Sequence, residues 1–317
     1  MVNATISVSD FVLHCEIRPD QRSITIVALL VIYLASMFGN LLVIVVIKMS
    51  RQLHSAMYIF ISTLAVIDVV NSNTIIPRLI TILQIDSSLV PYGACLMQMY
   101  VILNINLMES LLVTFMALDR YVAVMYPLRY PSIVTKKIVW VVVLFLPLFA
   151  FLFHVPILVF ACELSFCRTN VLPYCYCDYS NMVQVSCNND PKYLLLLSSF
   201  VIVLGFFPLI IVLFTYARIF LVALKISTLD ANSKVFSTCV THLFVVGLSY
   251  IPLLASYILP GAGVKMSIEV YNTMLIIGNV VPPMMNPLIY SLRNNEIKSR
   301  IYMIFTGKKN IKEKVHQ

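Results

Sequence analysis

Two carboxylates, Asp68 and Glu109, stand inside long apolar stretches of the chain. An ionisable side chain is costly there, and points by default to a functional role. If the two lie close together near Asn40 and Asn286, the pair suits either of two chemistries: a shared proton or water network that packs the chain, or an oxygen-lined site for a sodium ion. Like-charge repulsion could instead keep one of the two protonated. A second group is Asp119-Arg120-Tyr121, in which a guanidinium can pair with the adjacent carboxylate and then exchange partners. Its plainer reading is a topology charge at a membrane surface. The third group is cysteine. Cys95 stands alone, whereas Cys162, Cys167, Cys175, Cys177 and Cys187 crowd one stretch, where either disulfides or a metal site would use them. That stretch contains no histidine, and the nearest, His154, falls inside an apolar run, so bridges are favoured over zinc. His54, His242 and Cys239 are isolated, with neither an H-E-x-x-H pattern nor a nucleophile-base spacing. No catalytic residue is expected, and an enzyme is not.

The elements that would hold these groups follow from composition. Of 317 residues, 60% are hydrophobic and 11% charged, with mean hydropathy +0.93. That is far more apolar than a soluble domain. A bilayer core about 30 Å thick needs about 20 apolar residues per helix. Seven stretches meet that length: 24–47, 56–80, 92–125, 138–161, 193–224, 235–259 and 268–291. Lipid offers no partner to backbone polar groups, so each should be helical. The expected fold is an all-α membrane bundle of seven transmembrane helices forming one domain over 1–317, with 1–23 outside and 292–317 as a cytoplasmic tail.

Orientation comes from the basic residues. With the N-terminus outside, Arg18, Arg22, Arg78, Arg168, Lys192 and Lys265 fall on the outer side and the other 16 of the 22 Lys and Arg fall inside. Positive charge concentrates on the cytoplasmic side of membrane proteins, so the net charge of +8 reads as topology. The basic residues are spread over separate short loops, which argues against a nucleic-acid surface. Met1 to Asp20 lacks the apolar core of a cleavable signal, so the first helix is the expected anchor. The one N-x-[ST] sequon, at Asn3, lies in the segment placed outside. After the last span, Ile297, Ile301, Ile304 and Phe305 fall on one helical face, with Lys298 and Arg300 on another. This predicts a short amphipathic helix on the inner leaflet.

Several segments resemble one family when taken in order. They are Gly39-Asn40; Leu53-His54-Ser55-Ala56-Met57-Tyr58; Met116 to Val124 around Asp119-Arg120-Tyr121; Pro127-Leu128-Arg129-Tyr130; Lys234 to Cys239 with His242-Leu243; and Pro282-Pro283-Met284-Met285-Asn286-Pro287-Leu288-Ile289-Tyr290. Together these resemble the odorant receptors of the rhodopsin-like G-protein-coupled family. The likeness implies a receptor that binds a small, mostly uncharged organic odorant and activates a heterotrimeric G protein, of the stimulatory type raising cyclic AMP, at the plasma membrane. It implies Asp119, Arg120 and Tyr121 as the switch, with Tyr216 and Tyr290 as hydroxyl partners of its active arrangement. It implies a ligand site of Ile102, Leu103, Asn106, Phe200, Tyr250, Leu253, Tyr257 and Asn279, and favours the sodium reading of Asp68 and Glu109. It implies no other cofactor, and lipid as the surrounding partner. It also implies Cys95 bonded to Cys177 and Cys167 to Cys187. Cys175 departs from the family pattern and competes with Cys177, while Cys15 and Cys162 are left as free thiols or a further pair. Prolines at 147, 156, 208, 252, 282, 283 and 287 should kink their helices. A rhodopsin-like receptor for a non-odorant ligand and a membrane transporter are the rival readings. A transporter would show paired interrupted helices or an internal repeat, and neither is evident.

Overall fold

In a computed structural model the described residues are 9–85, 88–167, 169–188, 190–224, 240, 243–244, 246–256, 258–259, 264 and 266–306. Asn3, Cys239, His242 and Tyr257, and with them part of the expected 235–259 span, lie outside these residues. The fold is mostly helical. In chain order come α1 (Pro19–Met49), α2 (Ala56–Ile85), α3 (Tyr92–Met125), a short α4 (Tyr130–Ile133), α5 (Lys136–Phe153), α6 (Val155–Cys162), α7 (Tyr179–Val185), α8 (Lys192–Val201), α9 (Phe207–Ala223), α10 (Val246–Ser256), α11 (Ile268–Arg293) and α12 (Asn295–Thr306).

Four units are long and apolar enough to cross a bilayer: α1, α2, α3 and the α5–α6 pair; α8, α9 and α10 are shorter apolar helices. Within these, the apolar windows of α2 and α3 are each 56% buried, against 28% for α1 and 22% for α5–α6. So α2 and α3 form the centre, and α1 and α5–α6 the rim. On the rim, Trp140, Leu144, Phe145, Leu148, Phe151 and Leu152 are all more than half exposed. Such an apolar surface would drive aggregation in water and is at rest in lipid. The chain is a multi-pass membrane protein.

Helices approach closely where side chains are small. A Cβ on Gly39 would stand 2.8 Å from Pro287 Cγ, so α1 meets α11 only because residue 39 has none. Asn40, one position on, sends its amide to the Pro283 carbonyl at 2.7 Å. Proline interrupts two of the apolar stretches, whereas Pro147, Pro282, Pro283 and Pro287 lie inside continuous helices. Pro156 cannot donate to the preceding turn, and the fourth apolar stretch divides at His154 into α5 and α6. Pro208 likewise follows a π-helical turn, Ile202–Phe206, that joins α8 to α9. Pro77 also sits inside α2, in addition to the prolines expected to kink their helices.

One end of the bundle is capped by structure that hydropathy did not predict. β1 (Asp10–Leu13) runs between β2 (Ser88–Pro91) and β3 (Val171–Leu172), antiparallel to the first and parallel to the second. Its alternate residues Phe11 and Leu13 are fully buried in a cluster that continues into the helices. Helix α7 completes the cap, with Asp178 accepting from the Ser180 N–H at its start.

Candidate functional site

The cap is cross-linked three times. Cys95, in the first turn of α3, is bonded to Cys177, and Cys167 to Cys187. Cys175 does not compete for Cys95: it is bonded to Cys15, just after β1, and Cys162 is the free cysteine among the described residues. The reason is directional. Cys175 and Cys177 flank Tyr176, and in this arrangement one meets the N-terminal segment while the other meets α3. Tyr176 is itself buried, its hydroxyl accepting from the Asn279 amide at 3.0 Å. Burial pushes its phenol well above the usual tyrosine range, so it stays neutral.

Beneath the cap an apolar cavity of about 130 Å³ opens between α3, the α5–α6 break, α8 and α10. Helix α3 supplies Leu103, Asn106, Leu107, Glu109, Ser110 and Val113. Most of these recur at three- and four-residue intervals, which puts them on one face. Helix α10 supplies Val246, Ser249, Tyr250, Leu253 and Leu254 with the same period. The π turn brings in Gly205 next to Val201, Phe200 and Leu197 of α8, while the α5–α6 break brings in His154 and Ile157. π turns frequently mark functional sites. This one widens the helix at the cavity wall.

Polar groups are few, and most are paired within the protein. Ser110 Oγ and the Tyr250 hydroxyl lie 2.5 Å apart, and the Ser249 hydroxyl donates to Glu109 Oε1 at 3.1 Å. His154 is 3% exposed, and its Nδ1 meets no full hydrogen-bond geometry, the Ala150 carbonyl one turn back being the backbone group its ring interacts with. Its ring is stacked on Phe200, centroids 5.7 Å apart, and meets the edge of Phe153 at 5.8 Å.

Of the sequence-derived ligand residues, Leu103, Asn106, Phe200, Tyr250 and Leu253 line this cavity. Ile102 does not: it is buried in the apolar cluster of α3, one helical step from Leu103. Asn279 is also placed elsewhere, because its amide is spent on Tyr176 and on the Leu275 carbonyl. His154, Ser110 and Ser249 were not singled out for this site. The period of α3 points to Ser110, four residues from Asn106, but nothing local tells that a break between α5 and α6 turns His154 inward.

The two intramembrane carboxylates take different partners. Asp68 is fully buried and accepts from the Asn286 amide at 3.0 and 3.3 Å. Glu109 lies close enough to interact with it electrostatically, but is hydrogen-bonded to Ser249. Asn40 is not a partner of Asp68 in these hydrogen bonds; it donates to Ser36 and Pro283. The Asn286 Oδ1 is buried with no partner. Among the described residues, no three His, Cys, Asp or Glu side chains gather at one point.

At the opposite end of α3, Asp119 is buried and accepts from the Tyr130 hydroxyl at 2.7 Å. Arg120 Nε stands 3.8 Å from the other carboxylate oxygen and is partly exposed. Burial, then the Asp119 carboxylate it faces, push the Tyr130 phenol up, so it remains a donor. Tyr121 and Tyr216 both pack in the α3–α9–α10 cluster, and Tyr290 in a separate cluster with α1 and α2. Tyr58 hydrogen-bonds Glu296 Oε2 at 2.6 Å, tying α2 to α12. Arg300 hydrogen-bonds Gln52. Ile297 of α12 is fully buried against the bundle, while Ile304 and Phe305 are exposed.

Comparison with known proteins assigns the class to which this arrangement belongs. The family model described as "Olfactory receptor" matches residues 29–308. The chain is 34% identical over 315 residues to olfactory receptor 1E2 of Gorilla gorilla gorilla, covering 96% of both. It is 33% identical over 312 residues to olfactory receptor 1496 of Rattus norvegicus, covering 98% of this chain and 99% of that one. It is 34% identical over 310 residues to olfactory receptor 1E1 of Homo sapiens, covering 96% of both. With its apolar helices, its bridged cap and a match along nearly its whole length, the chain belongs to the olfactory receptor family of G-protein-coupled receptors, which are odorant receptors and not enzymes.

Proposed function

We propose that this receptor binds a small, mostly uncharged organic odorant in the cavity between α3, α6, α8 and α10, and that binding activates a stimulatory G protein that raises cyclic AMP. The observation that carries this reading is the wall of the cavity: mostly apolar side chains, with a few polar groups largely paired among themselves. Such a site suits an apolar molecule with little charge. Leu103, Asn106, Phe200, Tyr250 and Leu253 are its contacts in this reading. An amine held by a salt bridge one turn higher on α3 is disfavoured by Ile102, an apolar side chain buried in the core.

The topology in this reading is seven spans in one domain, with the N-terminus outside the plasma membrane, Asn3 glycosylated and α12 on the inner leaflet. The 16-to-6 division of basic residues supports it. Asp119, Arg120 and Tyr121 form the switch that engages the G protein. Asp68, Glu109 and the unpartnered Asn286 Oδ1 offer oxygen atoms of the kind that hold a hard cation, and would hold sodium in the resting state.

The decisive experiment expresses the full chain with a surface tag and a cyclic-AMP reporter, against a broad odorant panel. An N-terminal epitope should stain intact cells, and one after Gln317 should stain only permeabilised cells; the reverse would sink the topology. Filling the cavity with Gly205→Leu should abolish responses at equal surface level, since a Cβ there already comes within 3.0 Å of Leu254. Undiminished responses would move the odorant site elsewhere.

A further inference from the structure

Among the described buried polar atoms of the cavity wall, one stands apart. The hydroxyls of Ser110 and Tyr250 bond each other, and Ser249 is spent on Glu109. His154 Nδ1 meets no full hydrogen-bond geometry although the residue is 3% exposed, and the Ala150 carbonyl one turn back is the one backbone group its ring interacts with. Its ring cannot readily swing away to find a partner, because it is stacked on Phe200 and abuts Phe153. A buried polar atom without a well-formed bond is costly, and native structures rarely leave one without a reason. Here the residue lines a cavity. A molecule entering that space can supply a better-formed bond than the Ala150 carbonyl does.

We infer that His154 is the specificity-determining contact of the cavity, selecting a compact odorant, about one ring in size, whose single polar group is a hydroxyl: a small alcohol or phenol. This deepens the proposed function and rests on its assignment of the odorant to this cavity. Two observations fix the chemistry. The first is size: a cavity of about 130 Å³ is close to the ~150 Å³ apolar cavity that accommodates benzene. The second is the balance of donors and acceptors. A neutral imidazole offers one donor and one acceptor nitrogen. A hydroxyl both donates and accepts, so it satisfies Nδ1 in either tautomer. The neighbouring polar wall, Glu109 and Asn106, adds acceptor oxygens that a donor head can also reach. An ether or ester of the same shape has no donor for any of them. The apolar body would lie along Ile157, Leu197 and Phe200.

The helix break explains why this residue is available. Pro156 interrupts the ladder just after His154, and the turn between α5 and α6 presents the ring to the bundle rather than to lipid. Exposed neighbours such as Phe151 and Leu152 face the other way.

The test uses membranes from cells expressing the full chain with its G protein, read by nucleotide exchange, together with the melting midpoint of the solubilised receptor. The probes are benzyl alcohol, benzyl methyl ether, toluene and benzylamine, with cyclohexylmethanol and its methyl ether as a second skeleton. The alcohols should be the most potent and should raise the midpoint. His154→Phe keeps an aromatic ring on Phe200 but removes both nitrogens, and should cut alcohol potency roughly tenfold to a hundredfold and ether potency by less. His154→Gln retains a donor and an acceptor and should restore much of the alcohol preference; it also stands in if the phenylalanine variant does not reach the surface. Retained alcohol preference in both variants overturns the inference, as does benzylamine outranking benzyl alcohol, which would assign selection to Glu109. No response or midpoint shift with any probe also overturns it. Gly205→Leu separates the two levels. Alcohol responses that survive cavity filling refute the site itself, whereas responses abolished by filling but indifferent to His154 refute only the role of this residue.

Discussion

At the capped end of the bundle, Cys95, Cys167 and Cys175 are covalently tied to Cys177, Cys187 and Cys15, and a three-stranded sheet threads the N-terminal segment through the knot. At the Arg120 end, the helices are joined by individual hydrogen bonds such as Tyr130 to Asp119 and Tyr58 to Glu296, with Arg120 standing off at 3.8 Å. Covalent links do not exchange on the timescale of signalling, while single hydrogen bonds of about 1 kcal/mol net do. The cavity lies against the fixed end, and the exchangeable contacts lie beyond it along α3. A ligand can shift such a protein only through its different affinity for two arrangements. In the proposed reading, a rigid cap confines exchange of contacts to the Arg120 end, where the G protein would bind.

This contrast can be broken at either end. The largest effect should come from Cys95→Ser or Cys177→Ser, which removes the link between α3 and the cap. Losing such a bridge typically costs roughly 2 to 5 kcal/mol, and surface staining should disappear. Cys15→Ser and Cys175→Ser should be milder and equal to each other, and the double variant should be no worse than either. Additive losses in that pair would show that the two cysteines act separately. If Cys175→Ser abolished surface staining and Cys177→Ser did not, the pairing would be wrong.

Next in size is Arg120→Ala, which should abolish odorant-driven nucleotide exchange while odorants still raise the melting midpoint of the solubilised receptor. Full signalling in that variant would remove Arg120 from the switch. Gly39→Ala tests the packing between the ends. The added methyl meets the ring of Pro287, which cannot rotate out of the way, and should lower stability by about 1 to 3 kcal/mol, read as a lower melting midpoint. An unchanged midpoint would mean that α1 and α11 separate freely at that point. The smallest effect belongs to Tyr130→Phe. It deletes one hydrogen bond to Asp119, about 1 kcal/mol, leaves the carboxylate to Arg120 and should lower basal exchange a few-fold. Unchanged basal exchange would reduce the Tyr130 bond to packing.

The sequence by itself determined that the chain is helical and enters the membrane several times, because lipid imposes a length and a hydropathy on each crossing that can be read along one dimension. α1, α2, α3 and α11 begin and end within a few residues of the stretches expected from hydropathy. The family was legible too, since its segments from Gly39-Asn40 to Tyr290 stand in order along the chain. What hydropathy could not reveal was anything decided by which distant side chains meet. The partner of Cys15 depends on β1 crossing to β3, a pairing between segments about 160 residues apart. Asn279 was placed at the ligand by its helix, but Tyr176 descends from the cap and takes its amide. His154 looked like one residue of an apolar rim helix until Pro156 broke that helix and stacked the imidazole on Phe200. Burial and periodicity are properties of a segment and its solvent, whereas a bridge, a hydrogen bond or a cavity wall is a property of two segments in contact, and only the tertiary structure brings those together.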